Sequence, residues 1–181
     1  MIYAVGVVEL KSIAKGVEAC DAALKSAGIR LVSAHPACPG KYEIVFTGAL
    51  SDVQAALDQV KGGFERYIVD QALMGRIDEQ VVKALFGAQE AQPRGSLAVV
   101  ETFSAASAIK AADIAVKTAR VEILDLRVSR GMGGKGMVLL TGDVSDVTAA
   151  AEAGAAHAKE LGLLTGYSII AAPHEELWKQ L

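Results

Sequence analysis

Thr47-Gly48-Ala49-Leu50-Ser51-Asp52-Val53 recurs in the second half of the chain as Thr141-Gly142-Asp143-Val144-Ser145-Asp146-Val147. Nearer the start, Val7-Val8-Glu9 recurs as Val99-Val100-Glu101. The step from Glu9 to Glu101 is 92 residues and the step from Thr47 to Thr141 is 94, so the intervening loop is two residues longer in the second repeat. Matches in register over most of each half predict a tandem duplication. We expect domains over 1–87 and 96–181, joined by a polar linker with glycine and proline over 88–95.

Each repeat shows the same order of local patterns. Alternating residues over 2–10 predict a strand, and Ser12 is placed to cap the helix that follows. Ser51 with Gln54 predicts a capping box for a second helix. The order βαββαβα predicts an α+β fold, with a four-stranded antiparallel sheet covered by helices. The other strands are predicted at 29–33, 42–46, 68–74, 97–102, 121–128, 136–141 and 163–171, and short closing helices at 78–86 and 174–180.

Composition excludes several classes of protein. Hydrophobic residues make up 52% of the 181 residues and the mean hydropathy is +0.34, which favours buried contacts between subunits. A formal charge of −3 gives no electrostatic footprint for nucleic acid. No apolar run is long enough to span a bilayer, and the start of the chain lacks a basic signal region. Two cysteines fit a reducing compartment, so we expect a cytoplasmic protein.

One stretch carries the candidate chemistry, His35-Pro36-Ala37-Cys38-Pro39-Gly40-Lys41. Proline fixes φ and removes a backbone donor, and the residue before a proline is pushed toward extended geometry. We therefore expect a stiff loop between two strands that presents the thiol of Cys38. A single cysteine does not make a metal site, so its role depends on how many copies meet. A loop thiol without a role is the ordinary alternative.

Five stretches of the repeats are distinctive: Ala4-Val5-Gly6-Val7-Val8-Glu9, Asp21-Ala22-Ala23-Leu24-Lys25-Ser26-Ala27, Thr141 to Val147, the Ala-Gly run 149–155 and Ile170-Ala171-Ala172-Pro173-His174. With these stretches the repeats resemble the bacterial microcompartment shell domain. The resemblance covers essentially the whole chain, twice, which is similar to the tandem-domain shell proteins whose trimers imitate the hexamers of single-domain relatives. It implies a ferredoxin-like fold for each domain, a structural rather than an enzymatic role, and a place in the microcompartment shell within the bacterial cytoplasm.

The two central loops are Cys38-Pro39-Gly40-Lys41 and Gly133-Gly134-Lys135. Among tandem shell proteins, they most resemble those of the propanediol-utilisation class. The resemblance implies that Cys38 from three subunits meets at a central pore and binds one 4Fe–4S cluster, while Pro39, Gly40, Lys41, Gly133, Gly134 and Lys135 line the pore. Such clusters usually take four Cys thiolates, so three would leave one iron open. The implied partners are two further copies of the chain, other shell proteins, and luminal or cytosolic redox enzymes.

Three residues match positions that shell domains use at the edges of their tiles. Lys25 and Lys117 match the edge lysines, and Arg76 matches the edge arginine in the first repeat. The second repeat departs from the family pattern, because Ala172 stands where that arginine would be. The resemblance therefore implies edge-to-edge contacts that keep one of the two arginines.

Three alternatives to the cluster remain open. A shell trimer with an open metabolite pore would leave Cys38 unligated. A thiol redox enzyme with Cys38 as nucleophile would need a resolving cysteine or an activating base, whereas Cys20 lies on the apolar stripe of the first helix as a small hydrophobe. A signalling trimer that binds a small molecule is the third.

The run 130–136 lacks the spacing of a phosphate-binding loop, and His35 is a weaker candidate as a further ligand.

Overall fold

The computed structural model describes residues 4–128 and 131–181. The first repeat contains β1 (Ala4–Leu10), α1 (Ile13–Ser26), β2 (Arg30–Ala37), β3 (Lys41–Gly48), α2 (Leu50–Phe64), β4 (Ile68–Met74) and α3 (Glu79–Leu85). The second contains β5 (Ser96–Thr102), α4 (Ala105–Thr118), β6 (Val121–Val128), β7 (Gly136–Gly142), α5 (Val144–Glu160), β8 (Leu164–Ile170) and α6 (Glu175–Trp178). The predicted α+β order is confirmed in both repeats. Residues 2–3 of the first predicted strand and 129–130 of the second central loop lie outside the described residues.

Each repeat forms a four-stranded antiparallel sheet, with the strand orders β2-β3-β1-β4 and β6-β7-β5-β8. The register is the same in both, because Glu9 lies opposite Glu43 and Glu101 lies opposite Met137. The irregularities also recur, since the register shifts after Glu9 in the first sheet and after Glu101 in the second. The duplication is therefore kept residue by residue in the backbone pairing.

The helix starts partly follow the sequence signals. Ser12 caps α1 as predicted, because its hydroxyl accepts a hydrogen bond from the backbone N–H of Lys15 (3.3 Å). Ser104 caps α4 in the same way. The capping box predicted at Ser51 is wrong, because α2 begins at Leu50 with Ala49 as its N-cap and no side-chain bond. The chain turns from the end of β3 directly into this helix, so Ser51 already lies in the first turn.

Several elements differ in length from the prediction, and β2 and α6 are two of them. Strand β2 continues to Ala37 instead of ending at residue 33, because it pairs with β3 as far as the Ala37–Lys41 pair. The hairpin therefore closes in a tight turn at Cys38 and does not open into a long loop. Helix α6 has four residues, Glu175–Trp178, where residues 174–180 were predicted.

Helices α1 and α2 cover one face of the first sheet. Their apolar residues pack with Val8, Leu10, Ile44 and Phe46 of the strands in a buried core. Small side chains let the helices approach closely. A Cβ atom on Gly16 of α1 would lie 2.3 Å from the Cβ of Tyr42, so the helix can pass here only because this residue is glycine.

The chain divides into two compact units. The first comprises residues up to Ile77 together with 131–134 of the described chain, and the second comprises Asp78–Val128 and Lys135–Leu181. Helix α3, which follows the last strand of the first repeat, thus belongs to the second unit. Residues 88–94 of the predicted linker have no regular secondary structure. Over the ranges 4–128 and 131–181, every helix is too short or too polar to cross a membrane.

Replacing Gly16 by Ala should destabilise the fold, since the added methyl group would overlap Tyr42. We expect a loss of about 1–3 kcal/mol in the free energy of unfolding, the range for overpacking a core. Gly62 in α2 is the control, because a Cβ there meets open space, and Gly62→Ala should gain about 0.5–1 kcal/mol. Denaturant titration of both variants checks this, and equal effects would contradict the close contact.

Candidate functional site

The tip of the β2–β3 hairpin presents the thiol of Cys38. The turn is closed by a hydrogen bond from the backbone N–H of Gly40 to the carbonyl oxygen of Ala37 (3.0 Å). Gly40 has φ of 95°, a conformation that glycine adopts at no steric cost. Cys38 is exposed and forms no disulfide. The predicted stiff loop is therefore a single hydrogen-bonded turn with its thiol open to ligands.

The central loop of the second repeat lies against this turn. Residues 131–134 belong to the first compact unit. A Cβ atom on Gly134 would lie 2.6 Å from the carbonyl oxygen of Cys38 and 2.8 Å from Cδ of Pro39. The φ of Gly134 is 85°, which most other residues adopt only with strain. Glycine at position 134 therefore lets the two loops touch.

Lys41 links the two loops to the body of the sheet. Its Nζ donates a hydrogen bond to the carbonyl oxygen of Gly134 (2.9 Å) and lies 3.7 Å from Oε2 of Glu9. The Lys41 side chain is mostly buried, and Glu9 is fully buried on β1. Charge-assisted contacts are stronger in such surroundings than in water. One ammonium group thus holds the Cys38 hairpin, the Gly134 loop and a buried carboxylate together.

The equivalent lysine of the second repeat is in a different environment. Nζ of Lys135 lies 3.0 Å from Oε1 of Glu101, the counterpart of Glu9, and both side chains are more than a third exposed. The pair of residue types is conserved between the repeats, but the second pair is an ordinary surface ion pair of small energetic value. Gly133 has open space around its Cα.

The structure brings together Cys38, Pro39, Lys41 and Gly134 of the predicted pore residues. The predicted edge residues lie elsewhere. Lys25 and Lys117 are in the last turns of α1 and α4, and each pairs with an aspartate one turn earlier, Asp21 at 2.6 Å and Asp113 at 2.7 Å. Arg76 is exposed beyond the end of β4.

Sequence reasoning missed two buried carboxylates beneath the hairpin. Glu9 and Glu43 are direct cross-strand neighbours, and both are buried. Nε2 of His35 lies 3.7 Å from Oε1 of Glu43, so this histidine is placed beside a carboxylate. Glu9 and Glu101 are charged residues at the same place in two otherwise apolar strands. This repeated position was the sequence signal that could have indicated the role of Glu9.

One chain offers a single available thiol. No three His, Cys, Asp or Glu side chains are grouped for a metal ion within residues 4–128 and 131–181. Burial, and secondarily the neighbouring Asp21 carboxylate, raises the pKa of the Cys20 thiol. Cys20 therefore stays protonated in the helix core and is a poor partner for Cys38. A metal centre at Cys38 would need cysteines from other copies.

The BMC domain model matches this chain twice, over residues 4–77 and 96–173. The bacterial microcompartment shell protein PduT of Citrobacter freundii is 39% identical over 181 residues, which cover 100% of this chain and 98% of PduT. The shell protein EutM of Escherichia coli K12 is 37% identical over 82 residues, covering 45% of this chain and 82% of EutM. The full-length match and the half-length match agree with a duplicated domain.

A solved structure extends this likeness to the fold. The crystal structure of a microcompartment protein from Desulfitobacterium hafniense DCB has a TM-score of 0.84 and 38% identity, and the match covers 100% of both chains. The expected resemblance to tandem shell proteins is confirmed, and PduT matches over the full length of the chain. PduT and EutM are shell proteins of bacterial microcompartments, so the expected structural and non-enzymatic role is confirmed. The chain therefore belongs to the BMC-domain family and is a tandem-domain protein of a bacterial microcompartment shell.

Proposed function

We propose that the chain is a facet tile of the shell, a homotrimer in which six domains form a pseudo-hexameric ring. We further propose that Cys38 of the three copies binds one 4Fe–4S cluster at the threefold axis, which carries electrons across the shell. The exposed thiol on a firmly held turn is the observation that supports this function best. The count of three copies comes from the resemblance to tandem shell proteins.

The helix faces support self-association. Val17 of α1 is 52% exposed, whereas its counterpart Ile109 of α4 is 0% exposed. Ile13 and Leu24 continue the exposed stripe on α1, while Ala105 on α4 is buried. The same surface of the same fold is therefore covered in one repeat and open in the other. An open apolar stripe of this kind is typical of a subunit contact.

The sheet faces show the opposite asymmetry. On the face away from the helices, Met74 of the first sheet is 1% exposed and its counterpart Ile170 of the second is 36% exposed. Glu9 is likewise buried and Glu101 partly exposed. One chain thus has an open helix face on its first repeat and an open sheet face on its second. Two different surfaces that complement each other make a head-to-tail contact, and such contacts form rings when the rotation closes.

The residues at the hairpin tip suit an iron–sulfur cluster. Thiolates are the ligands that such clusters take, and the Cys38 turn offers an exposed thiol. Three copies around the axis would supply three thiolates and leave one iron for water, a small molecule or another protein group. When bound, the cluster would supply one-electron transfer. Lys41 and Gly134 would keep the three turns in place, and Pro39, Gly40, Gly133 and Lys135 would line the opening.

The alternatives to the cluster require different features around Cys38. An open metabolite pore needs the same ring and no metal at Cys38. A thiol enzyme needs a base or second thiol near Cys38, and Cys20 is buried with a raised pKa. The open metabolite pore is therefore the second candidate, because it shares the ring and the loops.

Metal analysis tests the cluster. Protein purified without oxygen should contain about four irons per trimer, absorb in the visible range and give an EPR signal after reduction. Cys38→Ser should lose iron and colour while the trimer persists, because the ligands are lost and the ring contacts remain. Cys20→Ser is the control and should keep both. A colourless trimer after reconstitution with iron and sulfide would leave the open pore.

Val17→Asp tests the ring. A carboxylate in a covered apolar contact is costly, so this variant should sediment as smaller species than the parent in analytical ultracentrifugation. Val144→Asp is the matched control, because Val144 and its counterpart Leu50 are similarly exposed in both repeats. If Val17→Asp and Val144→Asp sediment alike, the α1 stripe is not a subunit contact.

Lys41→Met tests how the loops are held. Removing the ammonium should speed backbone amide exchange in segments 38–41 and 131–134 of metal-free protein, by about tenfold for each 1.4 kcal/mol lost. Lys135→Met should leave both segments unchanged, since Lys135 pairs with Glu101 at the surface. Hydrogen exchange with mass spectrometry provides the readout. Equal exchange in the two variants would show that Lys41 does not join the loops.

A further inference from the structure

Helix α3 covers the free edge of the second sheet. Strand β6 is an outer strand, and its outward amides and carbonyls need partners. Nε2 of Gln80 donates to the carbonyl oxygen of Val121, and Oε1 of Gln80 accepts from the N–H of Ile123, both at 3.3 Å. One side-chain amide thus pairs with two backbone groups of the strand, as a neighbouring strand would.

Two further contacts fix this helix in the second unit. The backbone N–H of Asp78 donates to Oδ1 of Asp113 on α4 (2.9 Å), and the Asp78 side chain caps α3 through the N–H of Gln80. Val81 is 0% exposed. The joint therefore combines the burial of Val81, the hydrogen bond from Asp78 to Asp113 and the two hydrogen bonds from the Gln80 side chain to the β6 backbone.

The end of the chain repeats this helix. Met74 lies opposite Val5, and Ile170 lies opposite Leu97, so the last strands differ by a step of 96 residues. His174 then matches Asp78, and its Nδ1 accepts from the N–H of Glu176 (3.2 Å) as Asp78 does from Gln80. Leu177 stands in the place of Val81 and is 37% exposed. Helix α6 thus has the capped form of α3 with its apolar residue open to solvent.

The first sheet has the matching open edge. Strand β2 is an outer strand of this sheet, as β6 is of the second, and residues 29–31 are the counterparts of 121–123. Leu31 is 39% exposed, whereas its counterpart Ile123 is 1% exposed. Asp21, the counterpart of Asp113, is largely exposed, while Asp113 is buried. The receiving surface and the segment that fits it are both present in one chain and both uncovered.

We propose that the C-terminal segment, residues 174–181, of one copy docks on the β2 edge of a second copy. Leu177 then packs beside Leu31, and Asp21 accepts a hydrogen bond from the backbone N–H of His174. This contact rests on the proposed self-association, and it names the segment that joins one copy to the next. The packing of α3 on β6 within the chain supplies the geometry of this joint.

One substitution makes the joint between copies weaker than the joint within the chain. Position 176 is Glu where α3 has Gln80. A carboxylate can accept from the N–H of Leu31, but it cannot donate to the carbonyl oxygen of Ile29. The carbonyl oxygen of Ile29 therefore lacks a donor, whereas its counterpart, the carbonyl oxygen of Val121, accepts from Gln80. A buried acceptor without a donor is unfavourable, so restoring the amide should tighten the assembly.

Glu176→Gln in the full-length protein tests this. Its dissociation constant for assembly, measured by sedimentation over a dilution series, should fall by about tenfold, the upper range for one hydrogen bond. Leu177→Asp should raise that constant by tenfold or more. Glu175→Gln is the matched control, because it makes the same change of charge at the counterpart of exposed Glu79. It should leave the constant unchanged.

Hydrogen exchange at the N–H of Leu31 provides a second readout that does not depend on the variants. This amide should become protected when the parent protein assembles and should lose protection on dilution. A parent chain that stays monomeric at all concentrations would overturn the proposed ring itself. An assembled parent whose Leu31 amide is unprotected, with all three variants alike, would overturn the docking segment and leave the ring intact.

Discussion

Unpaired backbone groups at the edge of a β-sheet are the constraint on which this architecture depends. At one edge of each sheet lies β2 or β6, and the outward amides and carbonyls of such an edge strand need partners. For β6 the partner is a helix that follows the last strand of the preceding repeat, with Gln80 bonded to the strand backbone. The element that covers the edge strand of the second repeat thus follows the last strand of the first repeat. In the proposed ring the same rule applies to β2, with a neighbouring copy as the source, so folding and assembly use one kind of contact.

The two Lys–Glu pairs show how duplicated residues acquire different physical roles. Lys135 and Glu101 form a partly exposed pair, and their attraction is screened by water. Lys41 and Glu9 are the same residue types at the same places, yet they are buried, and Lys41 also bonds to the Gly134 carbonyl. Burial raises the energetic weight of each polar contact. The first pair has therefore become part of the support for the Cys38 turn, while the second remains a surface feature.

The sequence was sufficient for the features that depend on local residues. The repeat, the order of strands and the Ser12 cap follow from spacing and from the hydrogen bonds that a serine can make. The start of α2 did not follow, because the chain leaves β3 and enters the helix at Ala49, before Ser51 can act as a cap. The contact between Gly134 and Cys38 joins residues 96 apart, and no local pattern pairs loops at that distance. The burial of Glu9 was hidden for the same reason, since it depends on what tertiary packing brings over the strand.

The second central loop contains no cysteine between residues 129 and 135. In a ring of six identical domains, any loop residue is present six times. A ligand that needs three side chains would then have to use three of six equivalent ones, and nothing in the ring would determine which three. In the proposed trimer, a chain with two diverged halves presents each loop residue three times and can give the two loops separate tasks. Here one loop carries sulfur, and the other contributes a glycine backbone that fits against it. In the proposed trimer, gene duplication would thus set the number of ligands at the axis, a quantity that no single point mutation in a one-domain subunit can change.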